Sequence, residues 1–189
     1  NISRERVKDE MFKILSLPNP YPVLYLMKQT GVLQQIVQQP VNLPLFRHLL
    51  SQEKKAGAQP CPLFRAWVLC DKQLLPFKLS AHEKKQVRTW MDANQHPIQT
   101  YNHFLNILFL YDQQTFLNMI LLKKKRLNFQ CYRYMQTIKA PVCPFTEKDV
   151  MNYFHVQGEE ISKIYKKAIF IWQKNGFPKK DVVFCAISR

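Results

Sequence analysis

Apolar residues recur at helical spacing along most of the chain, and no segment alternates apolar and polar residues as a half-buried strand does. A first helix is predicted to begin at the N-cap residue Ser3 and to run through Ser16. A second is predicted to end at Gly31, a residue suited to a left-handed cap. The pattern therefore predicts an all-α fold, a multi-helix array of about 9–11 helices with no sheet.

Local start signals predict several later helices. Ser80 and Thr146 each precede an acidic residue by three positions, which is the pattern of a capping box. They predict one helix from Ala81 to about Ala93 and another that follows Thr146. The most strongly periodic segment, residues 159–175, is predicted to be an amphipathic helix that ends at Gly176.

The charged residues of the first predicted helix also follow helical spacing. Glu10 stands four residues after Arg6, and Lys13 stands four residues after Asp9. Residues with this spacing share one face of a helix, so both pairs are expected to form on its solvent side. Each such pair contributes only about 0.2–0.5 kcal/mol to helix stability.

The longest apolar stretch runs from Phe104 to Leu122, and polar residues such as Asp112 and Asn118 interrupt it. A membrane-spanning helix needs about 20 consecutive, predominantly apolar residues. The stretch is therefore predicted to form a pair of buried helices and not a membrane span.

Composition adds information about partners. The chain has 28 Lys and Arg residues against 13 Asp and Glu, which gives a formal net charge of +15 and a pI of about 9.7. A polyanion is the natural partner of such a chain, with nucleic acid first and an anionic membrane surface second. A basic protein with neither partner is the remaining alternative.

The cysteines and the lack of a signal peptide indicate a cytoplasmic protein. Five cysteines are present, an odd number, and none forms a C-x-x-C pair. Neither a disulfide framework nor a zinc ribbon fits this spacing. The cysteines are expected to be buried, reduced thiols.

No catalytic constellation is found in the sequence. It has no glycine-rich phosphate loop, no H-E-x-x-H or G-x-S-x-G motif, and no closely spaced aspartate pair for two metal ions. None of the five histidines stands three or four residues from another His or Cys, so no metal site is predicted. The chain is therefore expected to carry no catalytic centre of its own.

Two groups of basic residues are candidates for RNA contact. The first is the run Lys123-Lys124-Lys125-Arg126 together with Arg133, which stands among aromatic residues. Basic groups beside aromatic rings provide phosphate contact and base stacking, although lysines at a helix end are also favoured by the helix dipole. The second group fits either RNA contact or the solvated side of an amphipathic helix, and it comprises Lys163, Lys166, Lys167 and Lys174.

Both ends of the chain carry a family resemblance. The stretch from Ile2 to Lys13 resembles the I-S-x-E-R-hydrophobic-x-x-E-hydrophobic-x-K signature of the class II tRNA nucleotidyltransferase and poly(A) polymerase family. Pro18-Asn19-Pro20, and then Leu26 through Gly31-Val32-Leu33, resemble the next two elements of that family. Pro144 to Val183 is similar to the closing helices of bacterial CCA-adding enzymes.

The resemblance implies that the chain is the part of such an enzyme that lies C-terminal to its catalytic head, namely the end of the neck, the body and the tail. The last neck motif, which mainly braces the nucleotide-selecting helices, then comprises Glu5, Arg6, Glu10 and Lys13. The head carries the metal-binding aspartates and uses Mg²⁺ with CTP or ATP. Its motifs are missing from this sequence, so no cofactor is expected in this chain.

The resemblance also implies a division of the chain and a partner. Residues 1–56 are expected to hold neck-end and body helices with an RNA-binding region, and residues 57–189 the rest of the body and the tail. The division falls at Gly57-Ala58-Gln59-Pro60, the clearest internal break and a predicted loop between helices.

The expected partner is tRNA or another structured RNA, with a role in tRNA 3′-end processing and no membrane association. The chain is expected to be part of a nucleotidyltransferase only when joined to a head domain. One alternative is a separately encoded subunit that docks onto a catalytic head polypeptide. Another is a stand-alone RNA-binding or interaction protein.

Overall fold

Regular structure is entirely α-helical in the residues that the computed structural model describes, which are 3–73, 75–123 and 128–188. The twelve helices are α1 (Arg4–Ser16), α2 (Tyr21–Gln29), α3 (Val32–Val37), α4 (Leu43–Ala56), α5 (Pro62–Leu69), α6 (Ala81–Ala93), α7 (Tyr101–Leu110), α8 (Gln113–Lys123), α9 (Phe129–Thr137), α10 (Glu147–Phe154), α11 (Glu159–Lys174) and α12 (Lys180–Ile187). The all-α prediction is confirmed. Two short helices that the periodicity did not mark, α3 and α9, bring the number above the expected array of about 9–11.

The N-caps predicted from the sequence are confirmed. The Ser3 hydroxyl accepts a hydrogen bond from the Arg6 amide at 3.3 Å, where α1 begins. Ser80 forms a capping box with Glu83 at the start of α6, and Thr146 forms one at the start of α10. These bonds satisfy amides that have no acceptor within the helix itself.

Gly31 separates α2 from α3 in the left-handed conformation that the sequence predicts. Its φ is +76°, a value that glycine adopts without the Cβ clash that other residues suffer. The Gly31 amide donates to the Lys28 carbonyl at 3.2 Å. This sharp turn lets α3 begin after only Thr30 and Gly31.

The helices divide between two compact units. The first unit contains Asn1–Ile98 and Tyr111–Ile138, and the second contains Gln99–Leu110 and Lys139–Arg189. The apolar stretch 104–122 forms two helices as predicted, but α7 belongs to the second unit and α8 to the first. No helix in the described ranges is both long and apolar enough to span a bilayer. The functional division at residue 57 remains a prediction, and the first unit includes residues on both sides of it.

Helix α5 is the centre of the first unit, because every residue from Leu63 to Leu69 is buried. The sequence predicts inward positions for Phe64 and Trp67, and both are confirmed. Their ring centroids lie 5.5 Å apart, and Trp90 of α6 contacts both rings, at 5.1 and 6.0 Å. Aromatic contacts of this kind contribute about 0.5–1.5 kcal/mol each beyond the burial of their surface.

The second unit is built on the apolar face of α11. Ala168 and Trp172 are buried there, as the sequence predicts. The ring of Phe109 packs edge-on against Trp172 with centroids 5.2 Å apart. Lys180 Nζ lies 3.1 Å from Asp149 Oδ1 and links α12 to α10.

The cysteines differ in burial. Cys70 is buried and Cys185 is exposed, while three are half-buried: Cys61, Cys131 and Cys143. The expectation of buried thiols is therefore correct for Cys70 and wrong for Cys185. Two earlier residues of α12, Val183 and Phe184, are the ones that enter the core, and Cys185 lies off their face.

Candidate nucleic-acid interface

The residues of the predicted neck motif lie on the solvent side of α1. All four side chains are exposed: Glu5, Arg6, Glu10 and Lys13. Lys13 Nζ donates to Glu10 Oε1 at 2.8 Å, and neither expected pair, Arg6 with Glu10 or Asp9 with Lys13, is within ion-pair distance. Residues three apart are also neighbours on a helix surface, and here this spacing provides the hydrogen bond.

Glu5 has a partner from elsewhere in the first unit. Lys78 Nζ lies 2.7 Å from Glu5 Oε1, and this hydrogen bond holds the pKa of Glu5 below its usual range. The bond from Lys13 lowers the pKa of Glu10 in the same way. Exposed pairs of this kind contribute little to stability because water screens them. The bracing role of these residues therefore remains a prediction, and their side chains are accessible to a partner.

Arg65 is a residue of this region that the sequence did not mark. Its side chain is 2% exposed, and its Nη2 donates to Glu53 Oε2 at 2.7 Å. Its Nη1 donates to the carbonyls of Leu15 and Leu17 at 2.6 and 2.7 Å. These carbonyls lie at the C-terminal end of α1, where the helix leaves carbonyls without internal partners. Arg65 therefore fixes the end of α1 against α4 and α5.

The charge of this buried pair is compensated internally. Burial raises the pKa of the Glu53 carboxyl, and the contact with Arg65 offsets part of that rise. Arg65 Nε also donates to Glu53, at 2.9 Å from Oε2, so two guanidinium nitrogens share one carboxylate. The pair adds no net charge to the cleft that it borders.

A cleft of about 900 Å³ opens beside this ion pair within the first unit. One wall is the connection between α1 and α2, and Tyr21 stands at its end. Helix α4 forms the second wall with Arg47 and Lys54, and residues 57–60 form the third. Arg47 and Lys54 are seven residues apart, close to two helical turns, so they lie on one face of α4. Both side chains are exposed.

Tyr21 holds Arg47 over the cleft. The Arg47 guanidinium lies 5.6 Å from the centre of the Tyr21 ring, within the range of a cation–π contact. The ring of Tyr25, one turn further along α2, stacks on Tyr21 with centroids 6.2 Å apart and planes at 19°. Tyr25, Tyr21 and Arg47 thus contact one another in sequence, and the last two line the cleft.

Gly57, which lines the cleft, also contacts an aromatic ring of α9. A Cβ built on Gly57 would lie 3.0 Å from two carbons of the Phe129 ring, so this ring packs against the glycine backbone. Phe129 is 55% exposed, and the Arg133 guanidinium lies 5.9 Å from its ring centre. Arg133, a predicted RNA-binding residue, is therefore next to an aromatic ring that packs on a lining residue of the cleft.

Lys123, the first residue of the predicted basic run, has its ammonium group on two backbone carbonyls. Lys123 Nζ donates to the Asn94 and His96 carbonyls at 2.6 Å each, which ties the end of α8 to the segment that follows α6. Burial and the nearby Lys72 lower its pKa. The other three predicted residues, Lys124, Lys125 and Arg126, lie outside the described residues.

Helix α11 of the second unit carries a stripe of lysines. The four predicted residues are all exposed: Lys163, Lys166, Lys167 and Lys174. At about 100° per residue they form a stripe roughly 100° wide, opposite the buried Trp172. Phe170 lies within the stripe and is 63% exposed. Phe170 is not among the predicted residues, although its helical spacing from Lys163 and Lys166 places it within the stripe.

No group of three or more His, Cys, Asp or Glu residues within 3–73, 75–123 and 128–188 is arranged to hold a metal ion. The basic and aromatic residues are the chemically distinctive groups of both units. They offer phosphate contacts and stacking surfaces. These are the two interactions by which proteins bind nucleic acid without sequence preference.

Comparison with known protein families gives a match at the N-terminal end of the chain. Residues 1–41 match the family described as "Probable RNA and SrmB- binding site of polymerase A". This range contains α1, α2 and α3, and it includes Tyr21 of the cleft. The match supports a poly(A) polymerase-like RNA-binding region. No curated protein matches the chain.

Proposed function

We propose that this chain is the RNA-binding helical region of a CCA-adding tRNA nucleotidyltransferase or poly(A) polymerase, and that it is not catalytic alone. The match of residues 1–41 to a polymerase A RNA-binding region carries the proposal. The net charge of +15 gives it independent support, because a polyanionic partner is what such a charge favours. In the intact enzyme, the head supplies Mg²⁺ and CTP or ATP.

The proposed substrate is structured RNA, and the more specific proposal is that this RNA is tRNA. Duplex RNA is recognised mostly by its shape and backbone, so a basic helical surface is sufficient for binding. The lysine stripe of α11 supports this mode because its four ammonium groups face solvent. Residues Pro144 to Val183 resemble the closing helices of CCA-adding enzymes, and this similarity supports tRNA as the substrate.

Neutralising the lysine stripe tests the proposal. A variant with Gln at Lys163, Lys166, Lys167 and Lys174 should bind labelled tRNA at least tenfold more weakly, as measured by fluorescence anisotropy at constant salt. A matched control neutralises four exposed lysines that lie outside the stripe and outside residues 1–41: Lys84, Lys85, Lys139 and Lys148. The control loses the same charge and should bind more tightly than the stripe variant.

Three results would count against the proposal. Absence of tRNA binding by the native chain at low salt would remove RNA binding altogether. Equal weakening in both variants would show a general charge effect without a binding surface. Binding to anionic vesicles with no binding to tRNA would indicate a membrane-surface protein instead.

A second proposal concerns a separate catalytic head as partner. A groove of about 430 Å³ runs along α1 beside α2 and α3 and is lined by Arg6, Val7, Glu10, Met11, Ile14, Met27 and Ile36. Its mixture of apolar floor and charged rim favours a protein partner. Mixing the chain with a head polypeptide should restore CTP or ATP incorporation into tRNA. Introducing Val7→Asp in the groove should abolish that gain, and no gain on mixing would overturn the proposal.

A further inference from the structure

We propose that the cleft between the α1–α2 connection and α4 holds an unpaired nucleotide of the bound RNA. This inference rests on the proposed RNA-binding function and names the form of RNA that one surface accepts. The single-stranded form is inferred from the shape of the cleft and from the aromatic residues at its edge.

The size of the cleft favours one or two nucleotides over a duplex. Its volume of about 900 Å³ is within the roughly 300–1,000 Å³ that is common for pockets that enclose small ligands. A duplex hides its bases and presents phosphates and sugars to a protein surface. A concave pocket with Leu50 and Pro60 among its lining residues instead offers apolar contact, which an unstacked base can use.

The charged residues of the cleft are arranged for one phosphodiester group and one base. Arg47 lies against Tyr21, so its planar guanidinium is held in place and can stack on a base or pair with a phosphate. Lys54 lies two turns further along α4 and is exposed. The acidic lining residue Glu53 is neutralised by Arg65, and it therefore does not repel a phosphate.

The next nucleotide has a second stacking surface. Phe129 packs on Gly57, a lining residue, and exposes more than half of its surface to solvent beside Arg133. A strand that leaves the cleft past Gly57 meets this ring. The two surfaces alternate aromatic rings with cationic groups, which is the arrangement that single-stranded nucleic acids favour.

The test compares two RNA probes on the full chain. One is a single-stranded oligoadenylate of six nucleotides with 2-aminopurine at its centre, and the other is a blunt RNA duplex. Arg47→Gln and Tyr21→Leu should each weaken binding of the single strand about tenfold, because each removes a contact to an unstacked base or its phosphate. Duplex binding should change less than twofold. Tyr21→Phe keeps the ring and should bind like the native chain.

Arg88→Gln is the matched charge control, because Arg88 is exposed on α6 and does not line the cleft. Should Tyr21→Leu prove unfolded by circular dichroism, Arg47→Gln and Lys54→Gln carry the test, since both side chains are exposed. The native chain should quench 2-aminopurine on binding, and the cleft variants should quench it less.

The outcomes separate this inference from the proposed function. Binding of tRNA and duplex RNA without binding of the single strand would overturn the cleft inference alone. Equal effects of Arg47→Gln and Arg88→Gln on the single strand would also overturn it. Absence of binding to every RNA would overturn both proposals.

Discussion

Arg65 and Glu53 form a buried ion pair in which the guanidinium of one residue bonds the carboxylate of the other through two nitrogens, Nε and Nη2. The third nitrogen, Nη1, bonds the carbonyls of Leu15 and Leu17. One side chain therefore joins α1, α4 and α5. The pair also borders the cleft, so the stability of the first unit and the shape of its candidate RNA surface depend on the same contact.

Replacing Arg65 with Met should destabilise the first unit by about 3–5 kcal/mol, because Glu53 then stays buried without a counter-charge. Urea unfolding followed by near-UV circular dichroism measures the loss. The loss should be smaller at mildly acidic pH than at neutral pH. Without Arg65, burial alone raises the pKa of Glu53, and protonation then removes the unpaired charge.

The double variant Glu53→Leu/Arg65→Met should recover part of the lost stability, since replacing both partners removes the buried charge. Arg88→Met, on the exposed face of α6, is the control and should stay within about 0.5 kcal/mol of the native chain. An Arg65→Met variant as stable as this control would contradict the structural role of the pair.

Gly57→Ala should destabilise the first unit by about 1–2 kcal/mol, the cost of a left-handed conformation for a residue with a Cβ. Gly57 has a φ of +62° at the end of α4, and the added methyl group would also press on the Phe129 ring at 3.0 Å. The change should shift Phe129 and be visible in its side-chain NMR signals. Gly31→Ala provides the comparison, because it shares the positive φ but has no atom within 4 Å of its Cβ position. Equal effects at both glycines would show that Phe129 does not pack against Gly57.

Asp149 should make the second unit sensitive to acid. Hydrogen bonds from the Thr146 side chain and amide, followed by Lys180, lower the pKa of Asp149 from 3.8 to about 2. A carboxyl with a depressed pKa stabilises the folded state above its unfolded pKa, and this contribution is lost as the pH falls through the folded value. Hydrogen-exchange protection of α10 should therefore decrease between pH of about 4 and about 2.

Asp149→Asn should have lower protection at neutral pH and lose the dependence on pH over that interval. Glu147→Gln, an exposed change in the same first turn, should keep the native pH dependence. An identical acid response in Asp149→Asn and the native chain would contradict the assignment.

The cysteines should differ strongly in reactivity. Burial raises the pKa of the Cys70 thiol to about 11, and only 1% of this residue is exposed. The thiolate is the reactive form, so iodoacetamide should modify the exposed Cys185 first and Cys70 only after unfolding. Mass spectrometry of tryptic peptides over time measures both rates. Equal rates in the folded chain would show that Cys70 is accessible.

The features that the sequence predicts well are those that depend on near neighbours. Ser3, Ser80 and Thr146 each cap a helix through an atom three residues away, so a short window contains both partners. The amphipathic face of α11 follows from the same logic, since Trp172 is buried and the lysine stripe lies opposite. The position of Phe170 within the stripe could have been predicted in the same way, because it follows from helical spacing alone.

The features that it does not predict depend on distant partners. Arg65 is 12 residues from Glu53 and 50 from Leu15, so its burial follows only from the packing of α1 against α5. Lys123 belongs to a basic run that is typical of a solvent-facing RNA site. Its ammonium group nevertheless donates hydrogen bonds to carbonyls 27 and 29 residues earlier in the chain. Both side chains are cationic, but only the packing of distant segments determines where their charged groups lie.

The dependence of tRNA affinity on salt tests the central claim most directly. If the basic surfaces neutralise about six phosphates, the logarithm of the association constant should fall with the logarithm of salt concentration at a slope of about −5. Titrations of the native chain with labelled tRNA across a series of salt concentrations measure this slope. A steep slope near that value is the result that RNA binding through phosphates predicts. A flat response would contradict it.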